Sequence, residues 1–232
     1  MHLISASNLL YLLVPIFIVG YFYFKWVGDK FEIFYASLRM ILQLLLVGYL
    51  LSYIFDSKTS YMTIFVVVIM ISAASLIALR NITNKNFKHY KSIFLSIFIG
   101  GSLNLFLVLY FVLELDSFDN PRYIIPIAGM LYANCMNAVS LVAERFEKER
   151  VIHSYEKARE ISFRVSLIPQ INSFLAVGLV SLPGMMTGQI LSGVDPVVAV
   201  RYQMMVMFMV LGSSGISTIL YLSQRYTHPK SN

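Results

Sequence analysis

The sequence predicts an all-α fold, a polytopic membrane helix bundle of about seven transmembrane helices with its N-terminus outside and its C-terminus cytoplasmic. Three observations predict it. Of 232 residues, 58% are hydrophobic and only 13% are charged, where a soluble domain carries about 25% charged residues. Apolar stretches recur along the chain at bilayer length, each nearly free of charge. Lysine and arginine collect on alternate loops.

Taken in order, the first span is Leu9–Phe24; the preceding MHLISASN lacks the positive region and cleavage site of a secretory signal, so the span is expected to stay. Ser37–Phe55 follows, with Arg39 and Gln43 near its start, then the unbroken run Tyr61–Leu79. Ser92–Leu113 comes after a basic loop, and Tyr123–Ala143 carries Asn134 and Asn137. The sixth span, Leu167–Met186, is interrupted by Pro169, Gly178 and Pro183-Gly184, and the seventh, Pro196–Leu222, holds Arg201 and Gln203. Most approach the roughly 20 residues that cross the hydrocarbon as helix. Continuous apolar runs argue against a barrel, whose strands alternate.

Topology comes from the cations. Lys25, Lys30, Arg80, Lys85, Lys88, Lys91, Arg145, Lys148, Arg150, Lys157, Arg159, Arg164, Arg225 and Lys230 fall on one set of loops, against Lys58 and Arg122 on the other. The rich set is placed in the cytoplasm, and an odd number of spans preserves the alternation. The loop ELDSFDN after span four is acidic. One transmembrane domain over residues 1–232 is expected, with a charged cytoplasmic loop at 144–166. Cys135 is the single cysteine, so no internal disulfide forms.

Several chemistries are missing. No GxxxxGK[ST] loop is present to hold nucleotide phosphates. His2, His89, His153 and His228 fall outside the spans as drawn, and no Asp or Glu lies clearly within one. A membrane hydrolase, a metalloprotease or a proton relay needs such groups at depth. No catalytic residue, cofactor or metal ligand is therefore assigned, and nothing suggests nucleic acid.

The spans do hold amides and two arginines. Arg39 and Gln43 are one turn apart, and Asn134 and Asn137 share a face with Ala133 and Ala138. Span six opens with Pro169, Gln170 and Asn172, and Arg201 and Gln203 open span seven. Two readings stand for each. The arginines either snorkel to headgroups or face a solute, and the amides either bridge helices or line a pathway for a neutral polar or anionic cargo. Six of twelve methionines, at 185, 186, 204, 205, 207 and 209, lie close together. Thioethers suit soft metals but also fill apolar gaps. Met204 and Met207 share one face, Met205 and Met209 another.

Glu144 to Arg164 mixes five glutamates with six Lys or Arg. Glu144/Lys148, Arg145/Glu149 and Glu160/Arg164 have helix-supporting i,i+4 spacing, and no Gly or Pro occurs between Met130 and Ile168. Span five is thus expected to continue as helix into the cytoplasm and to turn near His153-Ser154. This loop is either a solvated, headgroup-facing segment or a docking element for a soluble partner.

The stretch IPQINSFLAVGLVSLPGMMTGQILSGVDPVVAVRYQMMVMF, Ile168 to Phe208, closely resembles the signature region of the FetB-type permease family. PRYIIPIAGMLYANCMNAVSL, Pro121 to Leu141, and RMILQLLLVGYLL, Arg39 to Leu51, are similar to it too. The resemblance implies the membrane subunit of an ABC transporter, of a kind proposed to export iron in bacteria and related to plant aluminium-tolerance permeases. It further implies a homodimer in lipid of a bacterial inner membrane, paired with a cytoplasmic ATP-binding subunit. Such a subunit is not itself an enzyme. Relatives carry a glycine-containing segment before the equivalent of Pro169; here SYEKAREISFR has Glu156 and Ala158 but no glycine. Glu156, Ala158, Arg159 and Arg164 are its partner-coupling candidates. An ATP-independent channel or secondary transporter, or a non-transporting scaffold, is the alternative.

The run SLPGMMTGQILSG, Ser181 to Gly193, is expected at the outer end of span six. Pro183 and Gly184 can break the helix there. Met185, Met186 and Ile190 keep the run apolar, so it is expected to fold back into the bundle as an outer gate or pathway lining, with Gln189 as its polar contact. Gly184 and Gly188, spaced i,i+4, would permit close packing against another helix; the alternative is an interfacial turn with packing glycines.

Overall fold

The computed structural model describes residues 5–29, 31–56, 60–80, 82–83, 85–115 and 120–226. Lys30, Lys58, Lys230, His2, His228 and positions 116–119 of the acidic loop lie outside the described residues. The described elements are α1 (Ala6–Leu9), a 3-10 turn (Leu10–Leu12), α2 (Leu13–Val27), α3 (Glu32–Asp56), α4 (Ser60–Leu79), α5 (Phe87–Leu107) with a π turn (Val108–Val112), α6 (Pro121–Ile152), α7 (Tyr155–Ala176), α8 (Gly184–Leu191) and α9 (Pro196–Tyr226). The chain forms two compact units, Met1–Ser57 and Lys58–Asn232.

In the first unit α2 ends at Gly28, whose φ of 88° supplies the left-handed cap that a side chain would resist. Asp29 then opens α3, its Oδ1 accepting from the N–H groups of Phe31 at 2.9 Å and Glu32 at 3.1 Å. Gly20 lies under the Phe34 ring, where a Cβ would come within 3.1 Å. Arg39 and Gln43 are both exposed on α3.

The second unit is built around α6, which packs against α4, α5, α7 and α9. Pro121 starts it without wasting an N–H, and the Asn120 side chain accepts from Arg122 N–H at 3.2 Å. Its buried face, with Leu131, Tyr132, Cys135, Val139 and Val142, meets Ile93 and Ile97 of α5 and Tyr221 of α9 in one apolar core. Helices α5 and α9 cross closely because Gly100 has no side chain: a Cβ there would lie 2.8 Å from Ser217 N.

The 32 residues of α6 run for about 48 Å, well beyond a hydrocarbon core of about 30 Å. The segment drawn from the sequence as a charged loop at 144–166 is accordingly helix on both sides of a two-residue turn at His153-Ser154, where the turn was expected. Ser154 caps α7 by accepting from Lys157 N–H. The pairs Lys148–Glu144 at 2.7 Å and Arg145–Glu149 at 2.6 Å form. Glu160 takes Lys157 at 2.9 Å rather than the expected Arg164.

Six described segments are long and apolar enough to cross a membrane: Ser7–Val27, Glu32–Ser52, Tyr61–Leu79, Phe87–Val112, Pro121–Ile152 and Pro196–Arg225. The chain is a multi-pass helical membrane protein, in which six of the seven expected spans are single helices of crossing length among the described residues. The expected sixth span is not one helix. Helix α7 starts twelve residues earlier than that span, among charges, and ends at Ala176. A second correction concerns His89. Asn86 caps α5 by accepting from His89 N–H at 2.8 Å, which adds a turn ahead of the expected start and buries His89 against Tyr221, Nε2 to OH 2.8 Å.

Candidate functional site: clefts around a broken helix

Pro183 cannot continue a helix, since it lacks an N–H and its ring crowds the carbonyl four residues back, and the residue before it prefers extended backbone. The chain unwinds at Val177, six residues ahead of Pro183 and nearly two turns earlier than the Pro183-Gly184 pair suggested. Val177 is extended, Gly178 has a φ of +83°, and Ser181 faces Val177 in an isolated bridge. The loop satisfies part of its backbone internally: Gly178 N–H donates to Ser181 O at 3.0 Å and Val180 N–H to Ala176 O at 2.8 Å. Pro183 itself caps α8, its carbonyl accepting from Thr187 N–H at 2.9 Å. After Gly193, at φ +90°, Asp195 Oδ1 caps α9 by accepting from Val197 N–H at 2.8 Å.

Three clefts adjoin this break. The first, about 320 Å³, is lined by Val177, Gly178, Met186, Gln203, Met204 and Phe208 among others. The second, about 440 Å³, runs along the unwound segment from Asn172 and Ser173 to Pro183. The third, about 210 Å³, holds Asn134, Pro169 and Gln170. Met207 lines all three; Phe174 is common to the first and third, and Ser173 to the second and third. They therefore form one connected surface on α6, α7, α8 and α9. Phe174 and Phe208 meet edge to face, with centroids 6.0 Å apart.

The polar chemistry of this surface is neutral. Gln170 and Gln203 are each only 6% exposed, yet their Oε1 atoms have no hydrogen-bond partner among the described residues. An unpaired buried acceptor costs about 1–3 kcal/mol. Asn134 Nδ2 donates to Met130 O at 2.8 Å. Unwound backbone adds peptide groups to the same surface, and irregular backbone at membrane depth occurs where it lines a cavity or is buried in protein. No Asp, Glu or His lines the clefts, and no three His, Cys, Asp or Glu groups converge among the described residues.

The sequence candidates divide. Asn134, Asn172, Gln203, Pro183 and Met186 line the clefts. Gln189 sits on α8 with a buried Oε1 that has no hydrogen-bond partner among the described residues. Asn137 is exposed on α6 together with Ala133 one turn before it, whereas Asn134 and Ala138 form the more buried i,i+4 pair. Arg201 is exposed and lines none of the clefts, and Arg39 and Gln43 belong to the first unit. Met185 packs on the core. Gly184 and Gly188 are not packing glycines within this chain, because a Cβ at either meets no atom within 4 Å. Met204 and Met207 line a cleft while Met205 and Met209 join the core, in keeping with their two faces. Ser173, Phe174 and Phe208 were passed over, and Gln170 was named among the amides of span six without being chosen as a site residue. Gln170 was visible as an amide beside Pro169, but its depth was not.

The coupling candidates lie on the first half of α7. Ala158 is fully buried, Glu156 and Arg164 are exposed, and Arg159 stacks over Tyr155 with its guanidinium carbon 5.6 Å from the ring centroid. Tyr155 OH donates to Leu222 O at 2.8 Å, tying α7 to the end of α9.

Residues 5–157 and 149–228 match the family described as Uncharacterised protein family (UPF0014). A UPF0014 membrane protein of Synechocystis sp. is 32% identical over 84% of this chain and 82% of its own length. The Escherichia coli (strain K12) protein named "Probable iron export permease protein FetB" is 36% identical over 84% of this chain and 80% of its own. "Protein ALUMINUM SENSITIVE 3" of Arabidopsis thaliana is 32% identical over 81% and 73%. No solved structure matches the chain.

Proposed function

The chain belongs to the UPF0014 family of membrane proteins, and on that premise we propose that it is the membrane-spanning permease subunit of an ABC transporter. It exports iron, or another metal-related or small polar solute, with ATP hydrolysed by a separate cytoplasmic subunit. The observation that carries this reading is the pair of buried glutamine oxygens without partners, Gln170 and Gln203, on clefts beside an unwound helix. A protein that gained nothing from those oxygens would replace them with apolar side chains. The name of the Escherichia coli relative supports iron as the cargo. Neutral oxygens and thioethers hold a bare hard cation poorly, so the cleft chemistry favours a cation that keeps other ligands, or a polar solute.

In this reading α7, the unwound segment and α8 together make a broken crossing beside the six continuous ones. That restores the odd number the cation pattern asks for, with the N-terminus outside and the C-terminus in the cytoplasm of a bacterial inner membrane. The permease works as a homodimer. The ATP-binding subunit docks on the first half of α7, at Glu156, Arg159 and Arg164, and its movement reaches the clefts along that one helix.

Co-purification from the host membrane is expected to bring down an ATP-binding chain whose hydrolysis rises on addition of an iron chelate or another transported solute. Gln170→Leu with Gln203→Leu is expected to reduce that stimulation at least about tenfold while the basal rate stays. Flux without any ATP-binding chain would replace the proposal with a channel or secondary transporter, and no flux under any condition with a scaffold.

A further inference from the structure

A fourth cleft lies far along α9 from the break, where the last turns of α9 meet the first turns of α5. It encloses about 520 Å³ and is lined by Lys88, Lys91, Ser92 and Leu95 of α5 and by Leu220, Ser223, Gln224 and Arg225 of α9. Among the described residues three cations line it and no carboxylate does. Glu147 does not line the cleft; its Oε2 accepts from Thr83 N–H at 3.1 Å. Arg225 is held from one side, its guanidinium carbon 5.0 Å from the centre of the Tyr221 ring. Its Nε and Nη2, and the Oγ of Ser92, are buried without a hydrogen-bond partner among the described residues. Gln224 is engaged, its Nε2 donating to Ser96 Oγ at 3.1 Å.

Donors outnumber acceptors here, the charge is positive, and both helices are ending. From these we infer that the cleft is a binding site for the phosphate of an anionic membrane lipid. Lys88 and Lys91 lie one helical turn apart and present ammonium groups to a phosphate. Arg225 offers a planar set of donors, which suits the oxygens of a phosphodiester. Leu95 lies one turn deeper along α5 than Lys91, and Leu220 deeper along α9 than Arg225. The wall therefore passes from charged to apolar in the direction an acyl chain leaves its headgroup. A free phosphate would use only the outer part. Basic clefts between spans on the cation-rich side of a membrane protein take anionic headgroups in this way. A lipid seated there bridges α5 to α9, and α9 is tied to α7 through Tyr155.

The test uses the full chain in an uncharged maltoside detergent, titrated with short-chain phosphatidylglycerol and read as the thermal unfolding midpoint. Inorganic phosphate and an uncharged short-chain diacylglycerol are titrated in parallel. Phosphatidylglycerol is expected to raise the midpoint, with diacylglycerol and phosphate each giving a much smaller rise. Lys88→Gln, Lys91→Gln and Arg225→Gln together are expected to weaken the lipid about a hundredfold, at roughly fivefold per cation. Lipid binding undiminished in that variant would overturn the inference, and a response to phosphate equal to that of the lipid would overturn its assignment to lipid. Should the triple variant not fold, the wild-type chain decides alone. Its affinity for phosphatidylglycerol must fall steeply from low to high salt, and a salt-independent affinity overturns the site.

Discussion

Two polar regions of the second unit are built on opposite plans. Along the seam of α5, α6 and α9, polar side chains close on their own helix or on a neighbour. Asn104 Nδ2 donates to Gly100 O at 2.9 Å, Thr218 Oγ1 to Ser214 O at 3.0 Å, and His89 meets Tyr221 at 2.8 Å. The oxygens of Ser214 and Ser217 are exceptions that line no described cleft, and Ser92 and Arg225, at the far end of the seam, are exceptions that line the fourth cleft. Around the break, the oxygens of Gln170 and Gln203 are equally buried, equally unpaired and open onto clefts. An internally satisfied polar group holds helices together without a hydrophobic difference between protein and lipid. A polar group left wanting beside a cavity is set for something that comes and goes.

The contrast can be broken in four ways. The largest effect is expected at the seam: Gly100→Val would push a side chain into Ser217 N, a contact already at 2.8 Å for a Cβ alone. Overpacking of this kind costs about 3 kcal/mol or more, read as a lost or sharply lowered unfolding midpoint in detergent. Next, Tyr221→Phe removes the buried hydrogen bond to His89 Nε2 and should cost about 1–3 kcal/mol; an unchanged midpoint would mean that the seam is not held by its hydrogen bonds. Gln203→Leu should move the other way, leaving stability unchanged or raised by up to about 1 kcal/mol, since it removes an unpaired acceptor. A clear loss of stability would place Gln203 with the seam. The smallest effect belongs to Asn137→Ala, exposed on α6: within about 0.5 kcal/mol of the wild type, and without effect on solute-stimulated ATP hydrolysis.

Much of the fold is legible in the residues, and the failures have physical reasons. The turn at His153-Ser154 could be placed because i,i+4 charge pairs extend a helix past the membrane until a serine cap offers a new start. His89 was read as loop because Lys88 and Lys91 flank it, yet Asn86 caps a helix that carries all three. Pro183 marks a helix break correctly, but the unwinding begins six residues earlier, beyond the reach of the proline ring, at Val177 and Gly178, where Gly178 takes a φ of +83°. The sixth span was drawn over this region because composition within a window cannot tell one continuous helix from the ends of two, α7 and α8. Of the clefts, Asn134, Asn172, Gln203 and Met186 were visible as polar or soft residues in apolar runs. Gln170 shared that signal, but its burial depends on helices far away in sequence.

The split of the α7 region also bears on how the chain enters the membrane during synthesis. The mostly apolar part of α7 is only the stretch from Val165 to Ala176, interrupted by Pro169, Gln170 and Asn172, and α8 has eight residues. Neither approaches the roughly 20 apolar residues that let a segment leave the translocon for lipid on its own. They must wait at the exit, or beside α6, until α9 has emerged and can shelter their polar edges. A ribosome-bound chain truncated before Pro196 should therefore leave the α7–α8 region accessible to aqueous thiol labels at engineered cysteines. A chain extended through Tyr226 should withdraw it.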